Sequence, residues 1–158
     1  MSVLVLGIGN IIMSDDGAGV RVVQRLAEDF RFPPDVMVLD GGTLGLDLLP
    51  ELEGVEKLIV VDAVETGKPP GTLVRLAGDE VSIAMETKVS PHQMGLKDLL
   101  AAASLQGHLP GEIVLLGIQP ERVETGTVLS PAVAARLEYL LGNVVDELAR
   151  WGIAAEPP

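Results

Sequence analysis

Hydrophobic positions in this 158-residue chain follow two alternating rhythms. Val3-Leu4-Val5-Leu6-Gly7 is a nearly unbroken aliphatic run, the pattern of a strand covered on both faces. From Gly17 to Phe30 the spacing of Val20, Val22, Val23, Leu26 and Ala27 predicts a helix. Val36 to Leu39 predicts a second strand, followed by a glycine-rich turn and a short helix over Leu44 to Leu49 that Pro50 ends. Leu58 to Val61 reads as a third strand. Lys68-Pro69-Pro70-Gly71 is a turn, and a strand over Thr72 to Leu76 follows it. Ser90 as an N-cap, with Pro91 at the first helical position, opens a helix that runs to about Leu105. Glu112 to Gly117 is another buried strand, and Ser130-Pro131 opens a last helix that runs to about Trp151. Residues 153–158 are expected to fray.

Strands alternating with helices imply the α/β class: a mostly parallel twisted sheet with helices on both faces. With no repeat, low-complexity tract or linker, residues 1–158 are expected to form a single domain. Sheets of this kind place ligands outside the carboxyl ends of their strands, at the point where the strand order reverses.

Composition narrows the picture. Aromatic residues are only 3% of the chain, so the core must rest on Leu, Val, Ile and Ala. Cysteine is absent, which removes disulfides, thiolate metal sites and a cysteine nucleophile, and fits a reducing compartment. The first residues enter a strand pattern without a basic leader, and no apolar run approaches the roughly 20 residues that span a bilayer. A cytoplasmic protein with no membrane association is expected. The net charge of −12 argues against nucleic acid and anionic membranes as partners, and suits metals or basic peptide segments.

The candidate chemistry lies at the strand ends. Strand one is followed by Gly7-Ile8-Gly9-Asn10 and then Asp15-Asp16-Gly17; strand two ends in Asp40-Gly41-Gly42-Thr43, and strand three at Asp62. Parallel strands bring these acids to one rim, where clustered carboxylates favour a shared cation or proton. Taken singly, Asp15 or Asp16 is equally suited to capping the following helix, and Asp40 to a turn. The Gly-x-Gly at Gly7 lacks the third glycine of a dinucleotide fingerprint, since position 12 is Ile12, so no nucleotide cofactor is expected. Those glycines are read instead as allowing a tight turn after strand one. A receiver-like signalling domain also gathers acids at strand ends, but there the acidic pair directly follows strand one, whereas Asp15 and Asp16 come several residues later.

Of the two histidines, His92 lies in Ser90-Pro91-His92-Gln93-Met94-Gly95, in the first turn of a predicted helix. The positive helix end disfavours its proton, which leaves the imidazole able to ligate. An ordinary surface or core histidine is the competing reading. His108, in a loop, is read as incidental. Two acids and one imidazole make an open oxygen/nitrogen site for a borderline divalent ion, with zinc and nickel both admissible. Ser90 reads as a cap rather than a nucleophile, because no nucleophile-elbow motif surrounds it.

Taken in order, these segments resemble the [NiFe]-hydrogenase maturation endopeptidases. The matching stretches are Gly7-Ile8-Gly9-Asn10 with Asp15-Asp16-Gly17, Asp40-Gly41-Gly42-Thr43 with Leu48-Leu49-Pro50, Val61-Asp62-Ala63, Ser90 to Leu96, and Gly117-Ile118-Gln119-Pro120. They span residues 3 to 150, nearly the whole chain. The resemblance implies cleavage of a C-terminal peptide from the hydrogenase large-subunit precursor after nickel insertion, with nickel delivered by the substrate. It maps the family's metal-contacting and catalytic residues onto Asp16, Asp62 and His92. Many members carry Glu where this chain has Asp16, one methylene longer. Asp40, Gly41, Gly42 and Thr43 are expected to shape the peptide groove. The general base stays open among Asp16, Asp62 and Asp40, and an open site of this kind suits a monomer. A non-catalytic nickel-binding maturation chaperone on the same scaffold is the alternative.

Overall fold

The computed structural model describes the backbone of residues 1–87 and 91–158, and side chains throughout that set except those of residues 85–87 and 91–94. Five strands form one sheet in the order β2-β1-β3-β5-β4, with β1 Val3–Ile8, β2 Val36–Gly42, β3 Lys57–Ala63, β4 Leu73–Ala77 and β5 Glu112–Ile118. All neighbouring pairs are parallel except β4 with β5. The mostly parallel α/β sheet is therefore as expected. Its strand order reverses between β1 and β3, which puts the switch point at Gly7, Val61 and Asp62.

The unbroken aliphatic runs reflect burial on two sides. Val3 and Val5 of β1, with Ile59 and Val61 of β3, face α1 (Ala18–Asp29) and α5 (Leu137–Arg150). Leu4, Leu6, Leu58 and Val60 face the opposite layer. That layer is a 3-10 helix, Gly45–Leu52, together with α2 (Asp79–Thr87) and α3 (Pro91–Leu105). Period-two alternation thus feeds two cores, and no position on these strands can be polar without cost.

Several sequence expectations are corrected. Pro50 does not end its helix: the segment runs to Leu52, because its tight 3-10 turns forfeit only the one amide that proline lacks. Pro131 opens only a short helix, α4 (Pro131–Ala134), and α5 starts separately at Leu137. Helix α2 carries no clear apolar stripe and was not foreseen. The tail does not fray from residue 153: Ile153 is buried, and Glu156 exchanges backbone hydrogen bonds of 2.8 and 3.1 Å with Arg31. Gly7 does not turn the chain; it lies inside β1, where a Cβ would meet Val23 and the Gly19 carbonyl. The turn belongs to Gly9, with φ of 133°. Ser90, read as the cap of α3, lies outside the described residues.

In the layer of α1 and α5, Glu147 of α5 is 2% exposed and receives Arg75 of β4 at 2.7 Å and Arg150 at 2.8 Å. These pairs tie the antiparallel edge strand to the helix layer.

Candidate active site

The chain leaves β1 through Gly9 and Asn10, then forms a 3-10 turn, Ser14–Gly17, before α1 begins. That turn carries both acids. Asp16 is 7% exposed and its Oδ2 accepts the Asn10 backbone N–H at 3.0 Å. Asp62, 1% exposed, is the next-to-last residue of β3, opposite Gly117. Glycines bring the two regions together. A Cβ on Gly19 would lie 2.1 Å from the Val61 carbonyl oxygen and 2.9 Å from the Asp62 nitrogen, so only a bare backbone lets α1 press onto the end of β3. A Cβ on Gly9 would lie 2.0 Å from the Asp16 carbonyl oxygen. Asp16 and Asp62 therefore share the rim at the switch point, as the strand topology implies.

Asp15 plays a different part from its neighbour. It does not cap α1. Fully buried, its carboxylate accepts four hydrogen bonds: Glu121 N at 2.9 Å, Arg122 N at 3.1 Å, Ser130 N at 2.7 Å and Ser130 Oγ at 2.7 Å. Burial alone raises a carboxyl pKa; here the bonds from Ser130, Arg122 and Glu121 outweigh it and hold Asp15 below the ordinary range. Ser14, with φ of 52°, is the one non-glycine at positive φ among the described residues, and its Oγ donates to the Glu124 carbonyl at 2.7 Å. The turn bearing Asp16 is thus bolted to the loop between β5 and α4. Nothing local signals this, because the partners of Asp15 lie 106 to 115 residues away.

The linkage has a definite sign. A carboxyl whose folded pKa is depressed adds stability above its ordinary pKa, and that stability disappears as pH falls through the folded value. Asp15→Asn is expected to lower stability by about 2–3 kcal/mol at neutral pH, through donors left facing an amide. That is a loss of roughly 5–10 °C in Tm. Thermal melts followed to below about pH 4 should show the gap from wild type shrinking; a gap constant with pH would contradict the assignment.

The Asp40 segment lies on the other side of β1, tied to it by the Gly9 N–H donating to the Gly42 carbonyl at 2.9 Å. Asp40 is exposed, and its Oδ1 accepts Gly42 N at 2.9 Å, which closes a side-chain turn. The two glycines differ. Gly41 is buried, and a Cβ there would strike Leu6 and Leu48, so its missing side chain serves the protein's own core rather than an approaching peptide. Gly42, at φ 49°, has room for a Cβ, which would only touch Asp40 Oδ1 at 3.8 Å, and Thr43 is exposed beside it.

His92 belongs to the first turn of α3, and its side chain lies outside the described residues. Its helix is docked, however. Gly95 and Gly45 meet nearly backbone to backbone, a Cβ on Gly95 falling 3.3 Å from the Gly45 Cα. The first turns of α3 thereby sit against the loop that follows Thr43. Among the described residues no group of three His, Asp or Glu is arranged to hold a metal. Gln119, passed over as a site residue in the sequence, is 4% exposed; it accepts Thr66 N and Thr66 Oγ1 at 2.7 Å and donates to Glu65 at 2.9 Å, ordering the loop after β3.

A parallel α/β sheet with two buried carboxylates at its switch point, ringed by loops from three strand ends, defines a small α/β enzyme with an acidic rim site. The chain belongs to the hydrogenase maturation protease family: the HycI family model matches residues 20–147. It is similar to the hydrogenase expression/formation protein HupD of Rhodobacter capsulatus, with 49% identity over 96% of this chain and 73% of that protein. It is also similar to the hydrogenase 2 maturation protease of Escherichia coli, with 40% identity over 99% of this chain and 96% of the relative. The structure of the hydrogenase maturating endopeptidase HybD from E. coli superposes with a TM-score of 0.95 at 39% identity, covering 99% of this chain and 98% of that one. HybD from Thermococcus kodakarensis superposes at 0.78 with 31% identity, covering 94% and 99%. The protein is therefore a peptidase, and the non-catalytic chaperone reading falls. No helix among the described residues is long and apolar enough to cross a membrane.

Proposed function

We propose that this endopeptidase removes a C-terminal peptide from the large-subunit precursor of a [NiFe] hydrogenase once nickel has been inserted, and that it recognises the nickel itself. The observation carrying this reading is the pair of buried carboxylates, Asp16 and Asp62, at the β1–β3 switch point. Two carboxylates withdrawn from water near one another favour a cation between them. An oxygen-rich rim without thiolates grips a divalent ion only moderately, which suits an ion that arrives on the substrate and leaves with it. His92, on the helix docked beside the Asp40 loop, is the third ligand in this reading.

In this mechanism Asp16, Asp62 and His92 hold the substrate's nickel and so fix the scissile bond relative to the rim. Peptide hydrolysis then needs a proton removed from the attacking water and charge stabilised on the carbonyl oxygen. Nickel supplies Lewis acidity to both when the precursor is bound. Asp16, Asp62 and Asp40 are the carboxylates able to take the proton. The exposed turn of Asp40, Gly42 and Thr43 borders the peptide's path, with Gly41 packed beneath it.

The test is incubation of the pure protein with nickel-loaded and nickel-free large-subunit precursor, followed by intact mass. The expected result is loss of a C-terminal peptide from the loaded form only. Equal cleavage of both forms would end the metal-recognition reading.

A further inference from the structure

The acidic rim is surrounded by apolar side chains that the fold does not use. Ile11 and Ile12 follow β1, Leu44 and Leu46 follow β2, and Val123 and Val128 follow β5; each is between 42% and 72% exposed. These six make up half of the large exposed hydrophobics among the described residues, and all lie on the segments that follow strand ends at the carboxyl edge of the sheet, Leu46 in the first turn of the 3-10 helix. Backbone bonds lace the loops into one surface. Gly9 N donates to Gly42 O at 2.9 Å and joins the first two loops; Gly126 N donates to Ile12 O at 2.9 Å, and Ser14 N to Gly126 O at 2.8 Å, joining the first to the third. Single exposed apolar residues are ordinary, but a ring of them around a polar site marks a docking surface.

Resting on the cleavage reading above, we infer that this collar docks an apolar segment of the precursor polypeptide, flanked by basic residues, beside the scissile bond. Charge selects that occupant over a second copy of the chain. Exposed Asp40, Asp47 and Glu121 are interleaved with the apolar residues, Glu124 is paired with Arg122 at 3.8 Å, and the chain carries a net charge of −12. Two collars pressed together would set carboxylate against carboxylate, whereas a basic-flanked segment meets the acids with opposite charge. The collar supplies contact area and the buried acids supply selectivity. Substrate affinity is then divided between a part indifferent to the metal and a part that requires it.

The test uses the full-length protein and nickel-loaded precursor, comparing wild type with Ile12→Ser/Leu44→Ser, Val128→Ser and a control, Leu105→Ser, at the far end of α3. The expected result is a KM raised about tenfold for the collar variants, with kcat and Tm held and the control unchanged. Biolayer interferometry should show the same loss of affinity for nickel-free precursor. Unchanged KM and affinity in the collar variants would overturn the inference, as would sedimentation showing a wild-type dimer that the collar substitutions dissociate. A wild type that binds through the collar but leaves the precursor mass unchanged overturns the cleavage reading and supports this one. A wild type that neither binds nor cleaves overturns both.

Discussion

Asp62→Asn is expected to reduce processing of nickel-loaded precursor by on the order of 10²–10⁴-fold while leaving the fold intact. The substitution keeps the size of a residue that is 1% exposed at the end of β3, so the two sheet cores should survive it. It removes a full negative charge from the rim, and with it half of the carboxylate pair assigned to grip the metal. An amide oxygen is a weaker ligand and cannot serve as a base. His92→Ala should give a loss of the same order, and His108→Ala almost none. The check is intact-mass kinetics paired with circular dichroism. An Asp62→Asn protein that processes precursor at the wild-type rate would remove Asp62 from the site.

Gly19→Ala is expected to destabilise the protein by about 3 kcal/mol or more, because the new Cβ meets the β3 backbone at Val61 and Asp62 rather than a yielding side chain. The Val61 carbonyl oxygen would lie 2.1 Å away, and Gly19's own carbonyl, with Val23, leaves no room for a Cβ on Gly7. The cost is roughly 6–12 °C in Tm. Any relief must come from α1 moving off β3, which parts Asp16 from Asp62. Activity should therefore fall even below the melting transition. A melt within a degree of wild type would show that the helix can slide without cost.

Much of this was legible in the sequence for a physical reason. Strands buried on two faces must be apolar at every position, so β1, β3 and β5 announce themselves, and parallel strands deliver their terminal acids to one rim. The direction of β4 was not legible, because Leu73–Ala77 pairs with β5 through backbone groups that leave no residue-type signature. Helix α2 lacks the stripe that reveals a helix, since much of it is exposed. The pause between α4 and α5 at Ala135 and Arg136 contains neither glycine nor proline. At the site, topology brings Asp62 and the Asp15-Asp16 pair to one rim, whereas the choice of Asp16 over Asp15 came from the resemblance alone. Two adjacent aspartates look alike in sequence, and contacts made by residues 121 to 130 set the clamped Asp15 apart from Asp16.

The position of β5 governs how the chain can assemble. It lies between β3 and β4 in the sheet, yet β4 is made some 35 residues earlier (112 minus 77). While the polypeptide emerges from the ribosome, β1, β2 and β3 can already pair, but β4 has no neighbour until residues 112–118 arrive to fill the gap. The Asp15 clamp closes later still, once Ser130 is present. A chain that stops short of α4 therefore lacks the Ser130 bonds that hold the turn bearing Asp16, and long-range closure of this kind is slow. The last third of the molecule thus completes the surroundings of a site whose acids all lie within the first 62 residues.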